Sequence, residues 1–196
     1  MDVAEALRTR ISIRAFTPTP VSKHEVEALL EDARWSPSGG NVQPWRVIVV
    51  SGAARDAVVA LGKSVSVSNP AGEEGDHPIY PANLWAPHRD YRFKVGEDMY
   101  ALLGIPREDK FARLGHLARN YEFFGAPVGL FFVIDTRMGH GQWAHLGMFK
   151  QSLALAATAR GLGTCMQEAW ARVRGSLHSH FGLGETDLVY CGMALG

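Results

Sequence analysis

Residues 36–45, Ser-Pro-Ser-Gly-Gly-Asn-Val-Gln-Pro-Trp, are the most conformationally restricted part of this chain. The two prolines fix φ and the two glycines permit sharp turns, so the segment predicts a tight loop. The apolar run at 47–50 follows at once and predicts a buried strand over residues 45–51. Asn41 and Gln43 place side-chain amides beside the loop. This combination suits the docking of a planar, hydrogen-bonding ligand, although the amides can equally cap nearby backbone.

The composition favours a single globular domain over residues 1–196. Hydrophobic residues make up 46% of the chain, which is enough for a core at this length. Twenty Lys and Arg residues balance twenty Asp and Glu residues, so no basic field favours nucleic acid or an anionic membrane. No apolar run approaches the ~20 residues that span a bilayer, and the N-terminus lacks a signal-peptide pattern. We therefore expect a cytoplasmic protein with neither a nucleic-acid nor a membrane partner.

Hydrophobic periodicity predicts helices alternating with a few strands. Asp2 with Glu5, and Ser22 with Glu25, have the spacing of helix-capping boxes. The predicted helices are 2–9, one that opens at Ser22, 52–62, 97–104, 107–121, 142–160 and 171–181. The predicted extended segments are 45–51, 127–135, 164–170 and 187–194. The pattern predicts an α+β or three-layer fold with a small mixed sheet.

Residues 63–95 differ in character from the segments around them. They are rich in Pro, Gly, Ser and Asp, and the part at 80–91 carries several aromatic side chains. A loop of this length inside a compact domain is usually functional or mobile. We therefore expect an insert here that either faces a ligand or packs on the surface.

Arg10, Ser12 and Arg14 alternate with two isoleucines. If the segment is extended, these three side chains point to one side and the isoleucines to the other. Two guanidiniums that flank a hydroxyl group match the oxygens of a phosphate. The alternative is a solvated basic face at a helix end, where arginine complements the helix dipole.

Gly161 and Gly163 follow the predicted 142–160 helix. They lack the third glycine and the preceding strand of a dinucleotide-binding fingerprint, so helix termination is the better interpretation. The backbone N–H groups of residues 164–170 could then face a ligand, or the segment could be a plain helix cap and strand. The eight histidines show no metalloprotease spacing, so we predict no metal site. Cys165 and Cys191 are expected to be buried, reduced thiols.

Taken in order, these segments resemble the FMN-dependent nitroreductase family. The resemblance implies an α+β, three-layer α/β/α fold with a small mixed, mostly antiparallel sheet. The similarity covers most of the chain, and each motif is weak on its own while the joint order and spacing are specific. The matching segments are Arg-x-Ser-x-Arg-x-Phe at 10–16, Ser-Pro-Ser-Gly-Gly-Asn-x-Gln-Pro-Trp at 36–45, Phe-Phe-Gly-Ala-Pro-Val-Gly-Leu-Phe-Phe at 123–132, the helix up to 163 and Gly-Met-Ala-Leu-Gly at 192–196.

The resemblance implies a set of cofactor-binding residues and no catalytic side chain. The FMN phosphate and ribityl chain would be bound by Arg10, Ser12 and Arg14. The flavin's pyrimidine edge and ribityl chain would be held by Pro37, Ser38, Gly39 and Asn41. Backbone N–H groups near flavin N5 would come from Met166, Gln167 and Glu168. Asn120 is a further candidate for flavin contact.

The resemblance also implies an NAD(P)H oxidoreductase that reduces nitroaromatics or quinones by ping-pong hydride transfer through FMN. The cofactor supplies the chemistry, so no acid–base pair is required of the protein. Family members are typically homodimers with FMN at the subunit interface, and the apolar 142–160 helix fits such an interface. They usually continue into a C-terminal arm, and since this sequence stops at Gly196 we expect weaker FMN binding. The 80–91 segment is the candidate lid over the small-molecule electron acceptor.

Two other functions stay open at this point. One is different flavin chemistry on the same fold, such as reductive dehalogenation, in which charged lid residues lie over the substrate. The 63–95 segment offers Glu73, Glu74, Asp76 and Arg89 for that role. The other is a flavin-binding or redox-sensing protein without turnover. The physiological acceptor and the choice between NADH and NADPH are open as well.

Overall fold

The computed structural model describes residues 1–73 and 78–196 of the chain. The helices in these ranges are α1 (Val3–Thr9), α2 (Lys23–Ala33), α3 (Gly52–Ser68), α4 (His88–Leu102), α5 (Lys110–Ala118), α6 (His140–Ala159) and α7 (Arg174–Phe181). The strands are β1 (Arg46–Ser51), β2 (Val128–Asp135), β3 (Thr164–Gln167) and β4 (Asp187–Leu195). Short 3-10 turns cover Gly39–Asn41, Arg119–Gly125 and Glu168–Val173.

The four strands form one sheet in the order β1-β2-β4-β3, with antiparallel pairing between neighbours. A single parallel bridge joins Ser12 to Thr164 and makes the sheet mixed. Successive β2 side chains enter two different apolar cores, with Phe132 packed towards α2 and α6, and Phe131 towards α3 and α7. Helices therefore cover both faces of the sheet, which confirms the α+β, three-layer prediction.

The predicted helix boundaries hold where the sequence carries a capping signal. Ser22 Oγ accepts from the Glu25 N–H at 3.1 Å, and Glu25 Oε2 accepts from the Ser22 N–H at 2.9 Å. Helix α6 ends with Gly161 at φ 77°, while the Leu162 N–H donates to the Ala157 carbonyl at 2.9 Å. That pair of features is a Schellman cap, so Gly161 terminates the helix as predicted.

Two predictions in the first half of the chain are wrong. Strand β1 was expected to be buried, but it lies at the sheet edge, and Val50 is its one buried residue while Val49 is 39% exposed. Residues 63–95 are not one long loop, because α3 continues to Ser68 and α4 begins at His88.

Three boundaries after residue 95 also differ from the prediction. The extended segment expected over 164–170 ends at Gln167, and a 3-10 turn follows. The last helix consequently begins at Arg174 rather than 171. The helices expected at 97–104 and 107–121 are α4 and the shorter α5. Within residues 1–73 and 78–196, no helix is long and apolar enough to span a bilayer.

Candidate functional site

A cavity of about 570 Å³ opens beside strand β3. One side, called here the β3 wall, is formed by residues 165–169. The opposite side is apolar and aromatic, with Tyr80, Tyr100 and Leu114 among its members. Arg14 supplies a positive charge to the lining. A polar main-chain wall that faces aromatic rings suits a planar ligand with hydrogen-bonding edges.

Arg14 reaches the cavity because the N-terminal segment pairs with β3. The Ile13 N–H donates to the Thr164 carbonyl at 2.9 Å. A Cβ atom at Gly163 would lie 2.9 Å from Ile13 Cγ1, so a glycine is needed for this close approach. Ile13 packs inward while Ile11 is 62% exposed, so the two isoleucines are not buried alike.

Arg10 and Ser12 lie near the same wall without lining the cavity. Burial raises the pKa of the Cys165 thiol, and the charges of Arg14 and Arg10 and a hydrogen bond with Ser12 act in the opposite direction. All three side chains are therefore close enough to Cys165, a lining residue, to affect its thiol. Of the three, Arg14 lines the cavity.

Gln167 is anchored away from the cavity by its side chain. Its Nε2 donates to the Asn120 main-chain oxygen at 2.7 Å and lies 3.3 Å from Asn120 Oδ1. Its Oε1 accepts from Trp170 Nε1 at 3.4 Å. Since the side chain is 1% exposed and fully engaged, Gln167 can offer a ligand little beyond its main chain. The backbone role of residues 166–168 stays a prediction, and Asn120 is a lining residue too.

Sequence reasoning missed Lys150, which lies on α6 behind Glu168. Its Nζ lies 3.3 Å from Cys191 Sγ, 3.6 Å from Glu168 Oε1 and 4.5 Å from the Tyr190 ring centroid. Burial lowers the pKa of Lys150, but Cys191, Glu168 and Tyr190 more than offset this, so the pKa lies above its ordinary value. Burial also raises the pKa of Cys191 to about 12, which keeps the thiol protonated at neutral pH. The available signal was a lysine in the middle of an apolar helix.

The aromatic side of the cavity, opposite the β3 wall, depends on strained backbone at Phe123 and Phe124. These residues adopt φ values of 51° and 53°. Arg55 holds this turn, with Nε donating to the Ala126 carbonyl at 2.6 Å. Phe124 then packs against His116, and both line the cavity. Burial, together with the charges of Arg119 and Arg14, lowers the pKa of His116. Its Nε2 is buried and has no hydrogen-bond partner among the residues that the structure describes.

The turn at residues 37–41 takes no part in this cavity. Pro37, Ser38, Gly39 and Asn41 all belong to the described part of the chain, and none of them lines the cavity. The Gly39 N–H instead points to Nδ1 of His145 on α6, at 3.5 Å. The amide of Gln43 lies 3.3 Å from Asn41 Oδ1, so the two amides partly satisfy each other. One chain therefore brings together only part of the predicted site.

The segment proposed as a lid contributes in part. Tyr80 lines the cavity, and the Arg92 guanidinium stacks 4.2 Å from its ring centroid. His88 contacts both Trp85 and Tyr91 edge to face.

Of the four charged residues named for a dehalogenase-type lid, the two that the structure describes, Glu73 and Arg89, do not line the cavity. Glu73 accepts hydrogen bonds from the N–H and hydroxyl groups of Ser176. Arg89 pairs with its neighbour Asp90. Glu74 and Asp76 lie outside the described residues. In the described ranges, His, Cys, Asp and Glu side chains form no cluster of three or more that could hold a metal ion.

The fold is that of FMN-dependent nitroreductases of known structure. The nitroreductase NfnB from Sphigopyxis sp. strain HMH, described as FMN- and NADPH-dependent, superimposes with a TM-score of 0.97 and 40% identity, covering 100% of this chain and 88% of that one. The FMN-dependent NfnB from Mycobacterium smegmatis, solved in complex with NADPH, superimposes with a TM-score of 0.90 and 28% identity at the same coverage.

Sequence comparison places the chain in a family. Residues 7–196 match the Nitroreductase family. The chain is 35% identical to a 4-nitrobenzoate reductase from Pseudomonas putida, covering 100% of this chain and 85% of the relative. It is 34% identical to a nitrobenzene nitroreductase from Ectopseudomonas oleovorans, covering 99% and 86%. The chain therefore belongs to the nitroreductase family, as the sequence motifs indicated.

Proposed function

We propose that this protein is an FMN-dependent NAD(P)H oxidoreductase that reduces nitroaromatic compounds. The observation that carries the proposal is the juxtaposition of Arg14 with the β3 wall along one cavity, in a chain of the nitroreductase family. Quinones remain acceptors to be tested beside nitroaromatics. A cytoplasmic location stays part of the proposal.

The residues around the cavity fit FMN. A volume of about 570 Å³ lies in the range of small-molecule sites. Arg14, supported by Arg10 and Ser12, would bind the phosphate, since a guanidinium fork matches phosphate oxygens. The main chain of residues 166–168 would bind the edge of the ring system. FMN, when bound, accepts two electrons from NAD(P)H and passes them to the acceptor.

The chain's own residues orient the ring system and exclude water. The aromatic side of the cavity, with Tyr80, Tyr100 and Phe124, offers flat apolar surfaces against which planar groups stack. The side chains of Gln167 and Glu168 are fixed from behind, which leaves the main chain of the β3 wall in one orientation. Nitro reduction also consumes protons, which solvent would supply in this scheme, so we name no side chain as a catalytic acid or base.

We further propose that the active form is a homodimer. The predicted flavin contacts Pro37, Ser38, Gly39 and Asn41 do not line the cavity of their own chain, so a second copy would have to supply them. Large apolar side chains on α1, α6 and the end of α2 are exposed, including Leu7, Met148 and Trp35, the last at 81%. Such a surface is typical of a subunit interface. The α6 helix, predicted from sequence as an interface element, carries part of it.

Steady-state kinetics test the proposal. We expect FMN-loaded protein, in the absence of oxygen, to turn over NADPH or NADH continuously only when an acceptor such as 4-nitrobenzoate, nitrobenzene or a quinone is present. Plots at several fixed acceptor concentrations should give the parallel lines of a ping-pong reaction. Product analysis with halogenated phenols addresses the dehalogenation alternative separately. Flavin-loaded protein that shows no acceptor-dependent oxidation of either nucleotide would overturn the assignment.

A further inference from the structure

Lys150 is a charged residue in an otherwise apolar helix face. Its neighbours on the buried side of α6 are Leu146, Phe149 and Leu153. At 6% exposure it is the one buried residue among the lysines, arginines, aspartates and glutamates that the structure describes. An ammonium group loses much of its hydration in such a position, so its partners decide what it does there.

Those partners connect α6 to the β3 wall. The ammonium group has three N–H donors, and its neighbours within 4.5 Å are one thiol, one aromatic ring and one carboxylate. The carboxylate belongs to Glu168, the residue that follows β3 directly and lines the cavity. Lys150 thus sits behind the cavity wall, and Glu168 stands between it and the cavity.

A purely structural role explains this arrangement poorly. Replacing buried ion pairs with apolar side chains of similar size is often neutral or stabilising, so such a pair is weak support for a stability function. Methionine would fill the same space on α6 without the loss of hydration. What methionine would not supply is a positive charge next to the Glu168 carboxylate.

We propose that Lys150 is a positioning residue of the flavin site: its ammonium holds Glu168 in place and balances the carboxylate charge at the cavity wall. The inference rests on the proposed function, because it concerns FMN bound in this cavity. Reduction adds negative charge to the flavin. An unbalanced carboxylate at the wall would oppose that addition, whereas the Lys150–Glu168 pair, which is neutral overall, does not.

The proposal predicts opposite effects for the two partners on the midpoint potential of bound FMN at pH 7. Lys150→Met leaves the carboxylate unbalanced, so the potential should become more negative. Glu168→Gln leaves the ammonium unbalanced, so the potential should become more positive. The double variant should return close to the wild-type value. We expect each single substitution to change the ratio of the affinities for reduced and oxidised FMN tenfold. For a two-electron couple, this corresponds to a shift of about 30 mV in the midpoint potential.

A matched control is available on the surface. Lys63 pairs with Glu122 at 2.7 Å, and the carboxylate is as exposed as that of Glu168, yet neither residue lines the cavity. Lys63→Met should leave the midpoint potential unchanged. Spectroscopic titration with redox dyes gives the potential, and fluorescence quenching gives the affinity for oxidised FMN, so neither readout depends on turnover.

The variants separate failure of the inference from failure of the proposed function. Wild-type protein that does not bind FMN would overturn both. FMN binding combined with equal potentials in wild type and Lys150→Met, or shifts of the same sign in both single variants, would overturn the inference alone. If Lys150→Met does not fold, the double variant replaces it. The midpoint potential of the double variant must then be more negative than that of Glu168→Gln by about 30 mV or more, which corresponds to a tenfold change in relative affinity. Equal potentials in these two variants would overturn the proposal.

Discussion

Ile13 donates its main-chain N–H to the carbonyl oxygen of Thr164 at 2.9 Å, and this bond fixes the basic N-terminal segment beside β3. Two stretches at opposite ends of the sequence thereby form one site. Arg14 faces the cavity from one stretch, and the β3 wall belongs to the other. The main-chain contact is independent of the arginine side chain, so the role of that side chain can be tested without disturbing the fold.

Arg14→Ala should weaken FMN binding. A hydrogen bond to a charged group contributes about 1.5–3 kcal/mol, so the dissociation constant should rise by roughly 10- to 150-fold. Fluorescence quenching of FMN measures the change. Arg8→Ala serves as the control, because Arg8 is exposed on α1 and does not line the cavity. Equal affinities for FMN in wild type and Arg14→Ala would contradict the phosphate assignment.

A mixing experiment tests whether two subunits build each site. Arg14→Ala and Asn41→Ala should each bind FMN weakly as homodimers. After unfolding and refolding together, half of the dimers are mixed and each mixed dimer holds one intact site, so roughly a quarter of the sites should regain tight binding. The control is the double variant Arg14→Ala/Asn41→Ala refolded with itself. Failure to regain tight binding while mixed dimers form would show that Arg14 and Asn41 do not meet across an interface.

Gly192→Ala should destabilise the fold behind the β3 wall. A Cβ atom at this position would lie 2.4 Å from Cδ1 of the fully buried Trp170. Overpacking of this kind costs about 1–3 kcal/mol of unfolding free energy. Urea denaturation measures it. Gly147→Ala is the matched control, since a Cβ there meets nothing within 4 Å and alanine favours the α6 helix. Loss of stability in the control and none in Gly192→Ala would refute the packing argument.

Asp135 should contribute a pH-dependent part of the stability. Hydrogen bonds from the Arg137 side chain and main chain, with a further one from Thr186, hold the pKa of Asp135 well below its ordinary value. A lowered pKa means that the stabilisation is present above about pH 4 and is lost as the pH falls. The difference in unfolding free energy between wild type and Asp135→Asn should therefore shrink between pH 7 and pH 3. A constant difference would contradict the pKa assignment.

Local signals in the sequence predict those parts of the fold that local chemistry determines. The Ser22 capping box and the Gly161 terminator are found as expected, since each depends on residues only a few positions apart. The continuous apolar run of β2 likewise identifies a central strand, buried on both faces. The part of helix α4 before residue 97 escaped prediction, because α4 buries no residue and its sequence carries no apolar stripe.

The sequence motifs predict which segments belong to the candidate site, but they do not predict how those segments meet in space. The motifs at 10–14 and 164–168 identify the residues, but their contact depends on a parallel bridge between Ser12 and Thr164 that no local pattern encodes. Lys150 was missed for the same reason, because its partner Glu168 lies on a different element. The 37–41 turn was identified as a ligand loop, yet it packs on α6 and does not line the cavity of its own chain.

Reduction of the bound flavin by NADPH and its reoxidation by a nitroaromatic compound can be followed as two separate half-reactions. The protein is titrated with FMN while flavin fluorescence is followed, then mixed anaerobically with NADPH and, after the nucleotide has been consumed, with a nitroaromatic compound. We expect saturable quenching of the flavin fluorescence by the protein and bleaching of the yellow colour by NADPH. The yellow colour should return when the nitroaromatic compound is added. Bound flavin that NADPH and NADH leave oxidised, or reduced flavin that no nitroaromatic reoxidises, would contradict the assignment as a nitroreductase.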